Sequence, residues 1–281
     1  AVFDTAILGS NPSAPAKIMF NIGFNFINKI KRNLFPFFKN KELKFVFNKL
    51  QEGFPESQVT ARFVGGCVRK YLSDEKIDDI DVATILSAEE IKNKFKDTNF
   101  KVIETGIKHG TVTLVSKNLN IELTTLRKDV VTDGRHAEVE YIDDWQLDSE
   151  RRDFTINAIY LDINGNIFDP QMGTVDLKNK NVKFIGDPEK RIQEDYLRII
   201  RLLRFAIQYN SSNDKTTIDA LRLNLSGLKK ISKERILSEL LKMLNLKTLD
   251  NILNHPNKKD IFLKIFPELK NLNGLDKLKK N

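Results

Sequence analysis

The sequence predicts an α+β protein, with a small mixed β-sheet in its front half and helices alone in its back half. Three observations predict it. Between residues 59 and 168, short apolar runs bounded by Gly-Gly, Gly and Asn-Gly turn signals read as strands interleaved with short helices. Beyond Gly186 the period-2 signal stops and apolar residues recur at helical spacing. The 281 residues, 41% hydrophobic and 30% charged, suffice for one large core or two modest ones.

Residues 1–18 carry Pro, Ser and Gly without periodicity, and translation is expected to start at Met19, the preceding residues being a tag, leader or reading-frame extension. Residues 19–41 hold basic and aromatic side chains (Lys29, Lys31, Arg32, Phe35, Phe37, Phe38) and no acid, as a targeting or membrane-surface helix would. Residues 1–40 are therefore set apart as an extension, 41–186 as the sheet-bearing head and 187–281 as a helical region.

Within the head, Leu43, Val46, Phe47 and Leu50 form the stripe of a helix over 42–50. A strand over 59–64 runs into the Gly65-Gly66 turn and a helix starting at Cys67. A second strand is expected over 79–84, a helix over 88–95, and strands over 111–115 and 120–126 after Gly106 and Gly110. Residues 127–148 are polar and charge-rich, a mobile loop with some strand. A helix over 149–160 has Ser149 as its N-cap, a hairpin turns at Asn164-Gly165, and one long helix spans 189–209.

Composition narrows the function classes. Net charge is +8, which suits a polyanionic partner such as nucleic acid or an anionic membrane surface, or only a Lys-rich solvated surface. The lone cysteine, Cys67, excludes an internal disulfide framework and a multi-cysteine zinc site, and suits a reducing compartment. None of the three histidines is followed by Asp, against a histidine-rich phosphohydrolase site. No apolar run reaches bilayer length.

Asp79 and Asp81 lie two apart in an expected strand, so both carboxylates project from one face. Like charges held together are relieved by a divalent cation, and hard oxygen ligands suit Mg2+. Upstream, Gly65-Gly66 joins strand to helix and lets backbone amides approach a phosphate with no Cβ between. Arg69, one turn on, adds charge-assisted hydrogen bonds. Each signal alone is weak; the order Gly-Gly-Cys-Val-Arg, with Asp-Ile-Asp beginning ten residues after Arg69, is far more specific.

This segment resembles the signature of the class II tRNA nucleotidyltransferases and bacterial poly(A) polymerases, members of the polymerase-β-like superfamily. The resemblance implies a nucleotidyltransferase head followed by an all-α neck and partial body. It implies metal-ligating Asp79 and Asp81, and nucleotide contacts at Gly65, Gly66 and Arg69. Glu122 sits where the family often places a third acid; otherwise it is an outward-facing strand residue. Lys70 departs from the usual Asp of the family and cannot bind a metal.

Arg151-Arg152-Asp153-Phe154-Thr155-Ile156-Asn157-Ala158 is similar to the family's second signature. Arg152 and Asp153 are expected at the phosphate and sugar of a nucleotide, and Asn157 is structural or ribose-adjacent. The stretch Glu194-Asp195-Tyr196-Leu197-Arg198, continued by Arg201 and Arg204, is similar to the family's amino-acid template helix. On a helix, Asp195 and Arg198 form an edge with one acceptor and one donor group, which matches cytosine and adenine. Both bases present an exocyclic amine and a ring-nitrogen acceptor, whereas guanine and uracil would leave polar groups unpaired. Arg201 can reach phosphate, while Arg204 points nearly opposite Asp195 and serves packing or the RNA backbone.

The resemblance implies transfer of CMP and AMP from CTP and ATP to the 3′ end of tRNA with Mg2+, in the cytoplasm or an organellar matrix, with no membrane partner. The loop over 124–141 is similar to that of CCA-adding members, and Tyr196 stands where poly(A) polymerases commonly carry Pro. The alternatives are a poly(A) polymerase and a non-catalytic RNA-binding remnant. The helical region is shorter than the family's body and tail, which implies truncation, a reduced grip on tRNA, or a grip supplied by another chain.

Overall fold

The computed structural model describes residues 37–106, 110–132, 137–249 and 255–269. The Met19 start, the targeting segment before Phe37, two histidines (His109 and His136) and the Lys-rich 275–281 end lie outside the described residues.

Asn40 opens helix α1 (Lys41–Gln51) by accepting from the Glu42 and Leu43 amides. The stripe Leu43, Val46, Phe47 and Leu50 is buried as the periodicity requires. Strand β1 (Ala61–Val64), α2 (Gly66–Leu72) and β2 (Ile80–Thr84) follow. Then come α3 (Ala88–Phe95), started by a Ser87–Glu90 capping box, and β3 (Lys101–Gly106), β4 (Thr111–Val115) and β5 (Asn120–Thr125). Strands β8 (Tyr160–Leu161) and β9 (Ile167–Phe168) complete a sheet ordered β3-β4-β5-β2-β1-β8-β9. Only β2 and β5 run parallel in it, so the sheet is mixed, as expected.

Two segments differ from expectation. Within 127–148, where a loop with some strand is expected, the strand share is larger: β6 (Arg127–Thr132) pairs with β7 (Ala137–Tyr141), and helix α4 (Trp145–Glu150) follows. Asp144, not Ser149, caps that helix, accepting from the Gln146 and Leu147 amides, while the Ser149 hydroxyl donates to the Gln146 carbonyl. The helix expected over 149–160 therefore begins early and stops at Glu150. Residues 154–160 are buried at every position, leaving no exposed face for an amphipathic helix. The backbone there pairs outward instead: Thr155 donates to the Lys183 carbonyl and Ile185 to that of Asp153.

After α5 (Gly173–Lys178), the long helix expected over 189–209 is two helices, α6 (Pro188–Glu194) and α7 (Leu197–Gln208). Asp195 separates them with extended backbone (φ −151°, ψ 104°). Helices α8 (Lys215–Asn224), α9 (Lys233–Leu244) and α10 (Pro256–Ile265) follow. One apolar cluster joins the sheet to these helices, from Phe63, Val82 and Leu123 to Ile199, Leu203 and Phe262. The other sheet face carries a smaller cluster of Val64, Ala83, Leu126 and Tyr160. Among the described residues no helix is long and apolar enough to cross a membrane.

Candidate active site

The acids follow from strand alternation. On β2, Ile80 and Val82 enter the large core while Asp81 and Ala83 face the other side; on β5, Ile121 and Leu123 enter the core while Glu122 faces away. The parallel register sets Asp81 directly beside Glu122. Asp79 stands exposed one residue before β2 begins, so the expected strand starts one residue late. Above them, Gly65 takes φ 72°, ψ −131°, a conformation essentially confined to glycine. A Cβ added at Gly65 would lie 3.5 Å from the Asp81 Oδ2, and the Gly66 amide donates to that carboxylate.

The electrostatics mark these acids as mutually repelling. Burial raises the Asp81 carboxyl above its ordinary value; Arg152 and Arg69 pull it down and Asp79 pushes it further up. Glu122, at the solvent edge, is also raised, first by lost hydration and then by Asp81 and Asp79. Cys67, under the Gly-Gly turn, is 1% exposed and its thiol is pushed up to about 12 by burial, then by Asp81. That suits packing rather than nucleophilic chemistry.

Arg69 is buried and locked from both the head and the helical half. It donates to the Asn157 side-chain carbonyl and to Tyr209 (3.0 Å), and lies over the Phe205 ring at 4.6 Å. Asn157 donates in turn to Asp153 (2.8 Å), which accepts from Arg201 at 2.5 and 2.8 Å. Burial would raise the Asp153 carboxyl, but the Arg201 charge and the Asn157 and Arg201 hydrogen bonds hold it down at about 2.

Arg152 is held by Asp148, a residue sequence reasoning missed. The Asp148 carboxylate is fully buried and accepts from Arg151 (2.8 Å), Arg152 (3.0 Å) and the Tyr160 hydroxyl (2.7 Å). Burial would raise it; the Arg152 and Arg151 charges override that and hold it at about 2. Its spacing of three and four residues from the two arginines was the readable signal. Tyr160 offered none.

The template-like segment differs from expectation in one respect: Asp195 lies outside α7 and accepts from the Leu197 amide at 3.1 Å. Its other oxygen takes Arg235 of α9 at 2.7 Å. Arg198 donates to Glu194 (2.5 Å) and to the Arg191 carbonyl (2.7 Å). Arg201 pairs with Asp153, whereas Arg204 is 9% exposed and bonded to Glu239 of α9 at 2.7 Å. Arg204, expected to serve packing or the RNA backbone, is held in packing.

Two family models match, one described as the poly(A) polymerase head domain over residues 61–183, the other as a probable RNA- and SrmB-binding site of polymerase A over 214–272. The chain belongs to the tRNA nucleotidyltransferase and poly(A) polymerase family. The mitochondrial CCA tRNA nucleotidyltransferase 1 of Danio rerio is 45% identical over 214 residues, covering 73% of this chain and 50% of the relative. The CCA-adding enzyme of Lactobacillus helveticus is 43% identical over 185 residues, covering 65% and 45%. The chain spans about half the length of the curated relatives it matches.

Among solved structures of this family, the Bacillus stearothermophilus CCA-adding enzyme in complex with CTP aligns with TM-score 0.65 and 32% identity, over 79% of this chain and 56% of that one. The Thermotoga maritima CCA-adding enzyme complexed with tRNA aligns with TM-score 0.63 and 26% identity, over 82% and 53%. Against the family pattern, Lys70 pairs with Asp78 at 3.0 Å and so braces the residue preceding Asp79.

Proposed function

We propose that the chain adds CMP and AMP, without a template, to the 3′ end of tRNA from CTP and ATP, completing CCA and releasing pyrophosphate. The observation that carries this reading is the set Asp79, Asp81 and Glu122, mutually repelling on one side of the sheet and bordered by Arg69 and Arg152. Relatives named for CCA addition support the choice of product. So do the loop over 124–141 and Tyr196, which resemble the CCA-adding members more than the poly(A) polymerases.

Among the described residues no three Asp, Glu, His or Cys side chains close into a ready-made cation cage. Asp79 and Asp81 form an open set of hard oxygen donors, which fits Mg2+ completing its shell with phosphate oxygens and water. Bound there, the metal would lower the charge cost at the attacking 3′ oxygen and at the departing pyrophosphate. Glu122 adds a third negative charge beside them.

The chain's own residues bind and orient. The Gly65-Gly66 turn admits the triphosphate close to the backbone, and Arg69 and Arg152 neutralise it. Asp153 faces the sugar, held by Asn157 and Arg201. Asp195 and Arg198 read the base edge as acceptor and donor. In the transfer, the RNA 3′ oxygen bonds the α-phosphorus as the α–β bridge bond breaks, and the hydroxyl proton leaves to water or base.

The division into a head over 41–186 and a helical neck and body over 187–281 belongs to the same reading. So does residence where tRNA matures, the cytoplasm or an organellar matrix, which the mitochondrial relatives and the single cysteine support. The test is incorporation of labelled CTP and ATP, singly and together with Mg2+, on tRNA lacking its end. Growth that stops after three nucleotides is expected. Continued A addition would assign a poly(A) polymerase, and tRNA binding without turnover would refute catalysis.

A further inference from the structure

Asp195 and Arg198 carry opposite charges at a spacing of three residues, where side chains at a helix start ordinarily pair with each other. If they did, the acceptor and the donor would cancel, and no edge would face a base. Here each is taken by a third residue. Glu194 and the Arg191 carbonyl hold Arg198 from α6. Arg235 holds Asp195 from α9.

Helix α9 lies along α7 and presents two charges one turn apart. Arg235 meets Asp195, and Glu239 meets Arg204 at 2.7 Å and Arg201 at 3.7 Å. The pattern fixes one register between the helices, because a slip by one turn would set Arg235 against arginines. The Asp195 carboxylate is bonded at both oxygens, Oδ1 to the Leu197 amide and Oδ2 to Arg235, so its plane is fixed. Each oxygen keeps a further lone pair to accept from an exocyclic amine. Without Arg235, one oxygen is free, the carboxyl can rotate about its terminal torsion, and Arg198, three positions on, is a cation it can turn to.

We infer that Arg235 is a specificity-determining residue: it draws Asp195 away from Arg198 and so keeps the acceptor–donor edge open for cytosine and adenine. This rests on the proposed nucleotidyl transfer. Arg235 touches no substrate; it acts through Asp195 and is a positioning residue.

The experiment compares R235A and R235K with the unaltered chain in kcat/KM for CTP, UTP, ATP and GTP on matched tRNA primers, with melting temperatures alongside. R235A should lower the CTP:UTP and ATP:GTP ratios at least about tenfold, since a reader with misaligned polar groups discriminates less. R235K, which keeps a cation but loses the planar fork, should recover part of both ratios. Equal slowing on all four nucleotides, with ratios kept, would overturn the inference and leave Arg235 a packing residue. A crystal structure of R235A decides the point without turnover. Asp195 turned onto Arg198 supports the inference, and Asp195 still on the Leu197 amide and apart from Arg198 overturns it. Absence of transfer by the unaltered chain would sink the proposed function alone.

Discussion

Two charged regions of this molecule are built on opposite terms. On the sheet, Asp79, Asp81 and Glu122 stand together without an ion pair among the described residues, and burial with mutual repulsion raises Asp81 and Glu122. Along the α4 end and the α6–α7 edge, every site acid has an arginine: Asp148 with Arg151 and Arg152, Asp153 with Arg201, Asp195 with Arg235. The first arrangement costs folding energy that a cation from outside would recover; the second is neutralised from within and holds its donors in place before any nucleotide arrives. Unbalanced charge marks where the missing chemistry enters, and balanced charge marks the mould around it.

Substitutions that treat the two regions alike should therefore behave differently. Asp81→Ala should abolish incorporation, by about a thousandfold or more since metal stabilisation is several kcal/mol, yet leave the melting temperature unchanged or raised. A clear loss of thermal stability in that variant would contradict the repulsion argument. Asp148→Ala is the converse. It strips a fully buried carboxylate from Arg151, Arg152 and Tyr160, and urea titration should show a loss of about 3–5 kcal/mol. Stability within about 1 kcal/mol of the original would show those arginines to be rehydrated at little cost.

Acid titration sharpens the same contrast. Asp148 and Asp153 are held at about 2, below an ordinary value near ~3.9. A lowered carboxyl stabilises the fold above its ordinary value and loses that contribution as pH falls through its folded value. Denaturant melts should thus lose about 2 kcal/mol per acid as pH falls from about 4 to about 2. Asp81 and Glu122 are raised, so without metal their penalty grows as pH climbs past the ordinary carboxylate range. Added Mg2+ should raise the melting temperature at pH 7 and not in Asp81→Asn. The smallest effect belongs to Lys70→Ala. Its pair with Asp78 is solvent-exposed, and turnover should stay within about twofold of the original.

Much of the head was legible because its signals are local. Gly65-Gly66, the Asp79 and Asp81 spacing and the alternation of Ile121, Glu122 and Leu123 each depend on backbone geometry within a few residues. The stripe of Leu43, Val46, Phe47 and Leu50 was readable for the same reason. Residues 149–160 misled because Asp153 and Thr155 find their backbone partners in 183–185, which no local pattern displays. Asp195 misled because helical spacing continues across it, while its extended backbone interrupts the helix and its carboxylate is held by the Leu197 amide and by Arg235, forty positions later.

By itself, then, the amino-acid order determined which residue types carry the chemistry, acids for a cation, arginines for phosphate, an acid and an arginine for a base, because those follow from charge, donor count and short-range spacing. Tertiary structure decided which of those charges are free and which are spoken for. That Arg204 is buried on Glu239 and that Asp195 and Arg198 are kept apart come from side chains meeting across α6, α7 and α9. Pairing energies depend on distance and burial, and neither can be read from order along a chain until it has folded.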